Sequence, residues 1–143
     1  IRLSLVGSEM CIRDSVWRRM IAAQGGDPQA ALPQAREQHV VTAPSSGVLS
    51  RLDAMSVGLA AWRLGAGRAR KEDPVQAGAG VRLHAKPGDT VREGQPLMTL
   101  LTDTPGAFDR ALAALEHGYE VSAPDSDAAR AAAERPLVLG RIS

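Results

Sequence analysis

A helical pattern enclosed by short β-type segments is the feature that most limits what this chain can fold into. The pattern covers Ala54–Leu64, follows Asp53, which is a good helix N-cap, and ends before Gly65, a residue common just after helices. Because apolar side chains occur on two sides of this helix, we expect it to be largely buried, with Gly58 and Ala60 allowing a neighbouring backbone to approach. One apolar stripe comprises Met55, Leu59 and Trp62, and the other comprises Val57, Ala61 and Leu64.

The β-type segments are short apolar or β-branched runs bounded by glycine and proline turns. Turns are predicted at Pro44–Gly47, Lys86–Asp89 and Gly94–Gln95. The predicted strands are His39–Ala43, Val48–Leu52, Val81–His84, Leu97–Thr102, Tyr119–Ser122 and, as a final edge strand, Pro136–Ile142. Strands mixed with helices in this order predict an α+β fold.

Two further helices and three connecting segments complete the predicted order. One helix, Val16–Gln24, ends at Gly25–Gly26, and another begins after Thr104 with Pro105 in its first position and stops at Gly118. The second of these helices carries Phe108, Leu112 and Leu115 on one face. The connecting segments are Asp27–Gln38, the long loop Gly65–Gly80, and the alanine-rich Ala123–Arg135.

Composition excludes several classes of protein. There are 17 Lys and Arg and 16 Asp and Glu, so the net charge of +1 gives no strong field for nucleic acid or an acidic membrane. Aromatic residues make up 3%, too few for platforms that stack single-stranded bases. The single cysteine, Cys11, excludes a disulfide framework and a multi-cysteine zinc site. No apolar run approaches a membrane-spanning length, so we expect a cytoplasmic protein that binds neither nucleic acid nor membrane.

The first fifteen residues differ in character from the rest of the chain. Ile1–Ser15 has no initiator Met and no signal-peptide core, and Ser8–Ser15 resembles the translated adapter sequence found at the ends of assembled environmental reads. The alternative is a genuine amphipathic helix with Leu5, Met10 and Cys11 as its apolar positions. We expect a non-native segment, and Cys11 then has no chemical role.

Few side chains stand at the spacings that catalysis or metal binding requires. Three histidines lie far apart without carboxylate or cysteine companions, so no metal site is expected. Three serines lie outside the Gly-x-Ser-x-Gly frame of a nucleophile elbow. These residues are His39, His84 and His117, and Ser45, Ser46 and Ser56.

The long loop offers two further motifs, each with two interpretations. Gly65–Arg68 follows a helix instead of preceding one, which favours a helix end with a flexible loop over an anion-binding turn. Lys71–Asp73 is either a solvated turn or a segment that reaches into a cleft between domains. We predict no catalytic, cofactor-binding or metal-ligating residue in this chain and no cofactor.

Two turn motifs resemble the halves of a biotinyl or lipoyl barrel-sandwich. They are Ala43–Val48, which reads Ala-Pro-x-x-Gly-Val, and Gly88–Leu97, which contains Gly-Asp-Thr-Val-x-x-Gly-Gln-x-Leu. A carrier of this kind would hold a modifiable lysine on an exposed hairpin between the halves. Lys71 lacks the Met-Lys-Met surroundings of such a lysine, so the alternative is a binding module of that architecture without a modified lysine.

The central helix and the loop after it resemble a known family more specifically. Ser50–Arg68, Lys71–Val81 and Lys86–Val91 are similar to the C-terminal domain of the thymidine phosphorylase and pyrimidine-nucleoside phosphorylase family. Trp17–Asp27 looks like the last helix before that domain, with Trp17 where phenylalanine is common, and Arg141–Ile142 looks like the usual end of the family.

The resemblance implies an α/β-hammerhead with barrel-sandwich-like β halves and an inserted helix, within a homodimeric parent enzyme. The implied reaction cleaves thymidine with phosphate to give thymine and 2-deoxy-α-D-ribose 1-phosphate. In the family, phosphate and pyrimidine nucleoside are bound by helical and α/β domains that precede this region, and none of those motifs matches a position here. The implied organisation is a non-native residue range 1–15, a last helix plus linker over 16–38, and the C-terminal domain over 39–143.

This assignment leaves three points open. The resemblance does not separate a preference for thymidine from broader use of pyrimidine nucleosides. A free-standing adaptor that begins near Val16 is a competing class, and the DNA sequence upstream of that codon would distinguish it from a fragment of an enzyme. The loop Gly65–Gly80 is the segment expected nearest a substrate cleft, without a catalytic role.

Overall fold

Helix α1 spans Leu3–Ala23 in the computed structural model, which describes residues 3–68 and 70–134, with side chains from residue 13 onward. The chain divides into two units after Leu32. In the first unit α1 ends at Gly25, which adopts a left-handed conformation with φ +78° and donates its N–H to the Ala22 carbonyl. The predicted helix end is confirmed, but α1 begins well before Val16 and includes most of the segment predicted to be non-native.

The second unit contains six short strands and three α-helices in its described part. The strands are β1 (Glu37–Thr42), β2 (Gly47–Leu52), β3 (Gly80–Leu83), β4 (Thr90–Val91), β5 (Pro96–Thr102) and β6 (Tyr119–Ser122). The helices are α2 (Ala54–Ala61), α3 (Phe108–Leu115) and α4 (Asp127–Ala133). A π-helical turn, Trp62–Ala66, extends α2, and a 3₁₀ turn, Pro105–Ala107, precedes α3. This arrangement confirms the α+β prediction.

Two antiparallel sheets are built from these strands. The first has the order β1-β5-β3, and the second has the order β4-β2-β6. Strand β5 lies at the centre of the first sheet, and Leu97, Met98 and Leu100 on it are almost completely buried. The register shifts between Leu49 and Arg51 where β2 pairs with β6, so one residue of β2 bulges there.

The core lies between the two sheets and the helices and is made mostly of small and aliphatic side chains. Leu49 from β2, Leu64 from the turn after α2 and Leu115 from α3 contact it together with the β5 residues. None of the helices within the described range is long and apolar enough to cross a membrane. The aliphatic character of the core follows from the scarcity of aromatic residues.

Two elements of the structure were not predicted, and one predicted strand lies outside the described residues. Ala123–Arg135 contains α4, which is capped by the Ser126 side chain accepting the Ala129 N–H at 3.1 Å. The two-residue strand β4 lies between the two predicted turns. The edge strand predicted over Pro136–Ile142 lies outside the described residues.

The expectation that the central helix is largely buried is wrong. Ala60 and Leu64 are fully buried, whereas Met55, Leu59 and Trp62 are 70%, 41% and 43% exposed. A Cβ on Gly58 would meet nothing within 4 Å, so no backbone approaches it in the described part of the chain. Strand β3 and α3 cover only one side of this helix, and a single apolar stripe is enough to hold it.

Candidate functional site

The N-terminus of α2 is fixed by the side chain of Asp53. Its Oδ2 accepts the Ser56 N–H at 2.7 Å, as predicted for an N-cap. This hydrogen bond from the Ser56 backbone lowers the pKa of the Asp53 carboxyl below its ordinary value. The cap fixes the start of α2 directly after β2, and the far end of the helix leads into the residues of the candidate site.

A left-handed glycine ends the turn that follows α2. Gly65 has φ +108°, and its carbonyl accepts the Gln76 N–H at 2.9 Å. A Cβ on Gly65 would lie 2.9 Å from the Gln76 side-chain carbon Cδ, so glycine is required for both the conformation and the close approach. The interpretation of Gly65–Arg68 as a helix end followed by a loop is confirmed.

A cleft of about 220 Å³ lies where this turn, the long loop and α3 meet. The long loop contributes Asp73 and Pro74, and α3 contributes Arg110. The full lining is Trp62, Arg63, Gly65, Gly67, Asp73, Pro74 and Arg110. We call this space the loop cleft.

Three side chains that line the loop cleft, those of Trp62, Arg63 and Asp73, are bonded to backbone groups. Arg63 donates from Nη1 to the Arg110 carbonyl oxygen at 2.7 Å, which ties the turn to α3. The Trp62 indole N–H donates to the Arg68 carbonyl oxygen at 3.1 Å. Asp73 Oδ2 accepts the Arg70 N–H at 2.8 Å, which closes a tight turn in the loop.

This chemistry suits binding and positioning. Two guanidinium groups and an indole can contact a polar or anionic surface through hydrogen bonds and stacking. Among the described residues that line the cleft there is no Ser, Cys, His or Lys, so these residues offer no nucleophile with an adjacent base. Asp73 lines the loop cleft and Lys71 and Glu72 do not, but this cleft lies within the second unit, so the interpretation of Lys71–Asp73 as a segment that reaches a cleft between domains stays a prediction.

The predicted candidate histidines and serines do not form a common site. His84 Nε2 lies 2.7 Å from the Thr99 hydroxyl, and the His39 ring lies 5.7 Å from the Phe108 ring. Ser46 accepts the Glu93 N–H at 3.0 Å and so supports a turn. No group of three or more His, Cys, Asp or Glu that could hold a metal occurs among the described side chains, which are those of residues 13–68 and 70–134.

A second, apolar groove runs along α2. It has a volume of about 340 Å³ and lies between α2 and the edge strand β3. Its lining is Leu52, Ala54, Val57, Gly58, Ala61, Val81 and Leu83. Beside it lies the exposed stripe of Met55, Leu59 and Trp62, so two adjoining faces of α2 are apolar and open.

Comparison with known proteins identifies the family. Residues 48–122 match the pyrimidine nucleoside phosphorylase C-terminal domain. The chain belongs to the pyrimidine nucleoside phosphorylase family. The matched range extends from β2 to the end of β6 and includes α2, the loop cleft and the apolar groove.

Relatives of this phosphorylase family carry two functional names. A thymidine phosphorylase of Mycobacterium tuberculosis is 47% identical over 126 residues, which are 88% of this chain and 28% of the relative. A pyrimidine-nucleoside phosphorylase of Bacillus subtilis is 46% identical over 82 residues, covering 54% of this chain and 19% of the relative. The human thymidine phosphorylase is 35% identical over 113 residues, which are 67% of this chain and 23% of that protein.

The chain therefore spans about a fifth to somewhat over a quarter of the length of these curated relatives. The sequence-based resemblance to the family is confirmed. Sequence reasoning did not single out Arg63 and Arg110, which face the loop cleft, or Gln76 behind it. Arg63 follows Trp62 at the end of the helical pattern, but only the fold shows that α3 places Arg110 beside it.

Proposed function

We propose that this chain is the C-terminal portion of a thymidine phosphorylase and that it acts as a scaffold and as one edge of the substrate cleft. The 47% identity with the Mycobacterium tuberculosis thymidine phosphorylase, across 88% of this chain, is the observation that carries the proposal. In this proposal the catalytic residues belong to the part of the enzyme outside the matched region.

The proposed reaction transfers a deoxyribosyl group from a base to phosphate. A phosphate oxygen bonds to the anomeric carbon of thymidine while the bond from that carbon to the pyrimidine nitrogen breaks. The products are thymine and 2-deoxy-α-D-ribose 1-phosphate. Such a reaction needs positioned donors for the phosphate and for the oxygens of the departing base, because both carry charge in the transition state.

The exposed apolar stripe supports a scaffold role. Met55, Leu59 and Trp62 form one continuous row on α2, and a soluble domain seldom leaves large apolar side chains together in water without a partner surface. We assign this row to the interface with the remainder of the parent enzyme. The loop cleft, with Arg63 and Arg110, then lies at the end of that interface-forming helix.

Several finer assignments belong to the same proposal. The two sheets correspond to the barrel-sandwich halves of an α/β-hammerhead, and the parent enzyme is a cytoplasmic homodimer. Residues 16–38 form its preceding helix and linker, and residues 39–143 form its C-terminal domain. The carrier-module alternative is not supported, because the family match includes both Lys71 and Lys86 within a phosphorylase domain.

A chimeric enzyme tests the proposal. Residues 17–143 of this chain replace the matching C-terminal part of the Mycobacterium tuberculosis thymidine phosphorylase, and release of thymine from thymidine and phosphate is measured. We expect the chimera to be active and this chain alone to be inactive. The N-terminal part of the relative without any C-terminal portion is the control, and uridine in place of thymidine measures specificity.

Two outcomes would contradict the proposal. A folded chimera without phosphorolysis would mean that this chain does not serve as the C-terminal portion of such an enzyme. Phosphorolysis by the isolated chain would place the chemistry within it and overturn the assignment of catalytic residues to the remainder. Within an active chimera, replacing Arg68–Asp73 by a Gly/Ser linker should lower turnover without unfolding the domain.

A further inference from the structure

A single glutamine joins three parts of the fold behind the loop cleft. Gln76 is half-buried and lies just after Asp73 and Pro74, which line the cleft. Its backbone N–H donates to the Gly65 carbonyl, which connects it to the end of the turn after α2. Its side chain is hydrogen-bonded to the residues that follow β5.

The Gln76 side chain uses both its oxygen and its nitrogen. Oε1 accepts the Asp103 N–H at 2.7 Å, and Nε2 donates to the Thr104 hydroxyl at 2.9 Å. The Thr102 hydroxyl oxygen lies 3.1 Å from Oε1 and 2.7 Å from the Leu64 carbonyl oxygen. Because a hydroxyl has one proton, it donates to one of these two acceptors at a time. An amide is the neutral group that can accept and donate in this way at one position.

The other hydrogen bonds of the cleft segment, Arg70–Gln76, are local. Arg70 and Asp73 bond to each other through the Asp73 carboxylate and through the Asp73 N–H. Such a turn holds its own shape but does not determine where the segment lies on the domain. In the described part of the segment, the bonds that fix its position on the domain are those of Gln76.

We infer that Gln76 is a positioning residue of the proposed phosphorylase, which holds Asp73 and Pro74 at the loop cleft by bonding to Gly65, Asp103 and Thr104. This inference rests on the proposed function. Gln76 does not line the cleft, so it acts through the cleft segment and not on a substrate. Loss of its side-chain bonds leaves the Asp103 N–H and the Thr104 hydroxyl without that partner and lets the segment move as a unit.

The first test uses this chain alone and needs no activity. Trypsin cleaves after Arg70 and Lys71, both exposed in the cleft segment, and the rate of cleavage reports how often the segment leaves its position. We expect Gln76→Leu to raise this rate by about tenfold, since the amide makes at least two net stabilising hydrogen bonds. Gln76→Glu keeps the acceptor for the Asp103 N–H, and the Thr104 hydroxyl can rotate to donate to its second oxygen, so cleavage should stay near the original rate.

Two further variants make the proteolysis result specific. Gln95→Leu removes a glutamine whose Oε1 accepts the Arg92 N–H at 3.0 Å in a distant turn, and it should leave cleavage at Arg70 and Lys71 unchanged. Thr104→Val removes, at an exposed residue, the hydroxyl that accepts from Gln76 Nε2. Its cleavage rate should lie between those of the original chain and Gln76→Leu. Thr104→Val also keeps the test valid if Gln76→Leu does not fold.

The second test measures catalysis in the chimera with thymidine phosphorylase. We expect Gln76→Leu to lower kcat by about tenfold with KM changed by less than about twofold, because the segment is needed in the closed complex. Gln76→Glu should restore kcat, a rescue that general destabilisation would not produce. Gln95→Leu is the matched control.

The outcomes separate the inference from the proposed function. If the unsubstituted chimera is active and Gln76→Leu leaves kcat unchanged, the inference is wrong and the proposed function stands. Unchanged trypsin cleavage in both Gln76→Leu and Thr104→Val also overturns the inference. If the unsubstituted chimera folds but is inactive, the proposed function fails and this inference fails with it.

Discussion

The backbone of Gly47 on β2 passes so close to Ser122 on β6 that a Cβ at position 47 would collide with the Ser122 carbonyl oxygen. The neighbouring Val121 side chain would lie 3.1 Å from the same Cβ. Because the obstacle is largely backbone, a side chain cannot be accommodated by a rotamer change. Glycine at this position therefore sets the spacing of the second sheet.

We expect Gly47→Ala to destabilise the second unit by about 1–3 kcal/mol, the usual range for an overpacked position. Gly106→Ala is the matched control, because a Cβ there would meet nothing within 4 Å. Urea denaturation followed by circular dichroism measures both. Equal stability of the two variants would mean that β2 and β6 can separate freely.

The Asp53 cap predicts a stability that depends on acid pH. The folded-state pKa of Asp53 is lowered, so its contribution is fully present above the ordinary carboxyl pKa of about 4 and is lost as the pH falls through the folded value. Asp53→Asn retains a capping side chain without a charge. The difference in Tm between the original chain and this variant should shrink below about pH 4.

Asp53→Ala extends this comparison by removing the cap at every pH. Its Tm should lie below that of Asp53→Asn throughout the titration, because the Ser56 N–H then loses its side-chain acceptor. A Tm difference between the original chain and Asp53→Asn that stays constant from pH 7 to pH 3 would contradict the role of the charge.

Trp62 and Leu64 should differ sharply in their effect on stability although they lie on the same turn. Leu64 is completely buried, so Leu64→Ala should cost about 2–5 kcal/mol. Trp62 is 43% exposed and its indole N–H donates to the Arg68 carbonyl, so Trp62→Ala should cost only about 1–2 kcal/mol. Denaturant titration measures both variants, and a larger cost for Trp62→Ala would mean that the stripe is covered within this chain.

Deletion of residues 1–15 should leave the Tm of the second unit unchanged within error. If the segment is non-native, as its adapter-like sequence predicts, its apolar residues were not selected to match any groove. The comparison needs only thermal melts of the two chains under one condition. A decrease of several degrees would show that the segment packs on the domain.

Local signals in the sequence were enough for most strands, for the Asp53 cap and for the helix end at Gly65. Each of these depends on residues that are neighbours in the chain, such as a capping carboxylate and the N–H three residues later. Helix α4 was missed because its alanines lack an apolar stripe, although Ser126 was an available N-cap signal. The family could be predicted for the same reason, because its motifs are contiguous in sequence, and the prediction is confirmed.

The exposure of α2 and the surroundings of Gln76 could not be predicted in the same way. An apolar row indicates burial but does not say whether the burying surface lies in the same chain, and here Met55, Leu59 and Trp62 remain open. The partners of the Gln76 side chain are 26 to 28 positions away, so they become neighbours only when β5 pairs with β3. The hydrogen bond from Arg63 to the Arg110 carbonyl on α3 likewise joins residues that are distant in the sequence.

The hydrogen bond between Gly65 and Gln76 also has a consequence for changes in the length of the loop between them. Because the chain leaves and rejoins the domain at one point, amino acids inserted between these two residues would not change the register of either sheet. Doubling the length of a loop whose ends are held together costs only about 0.6 kcal/mol in chain entropy. The two sheets would therefore keep their registers if this loop changed in length, and the effect of such a change should fall on the loop cleft.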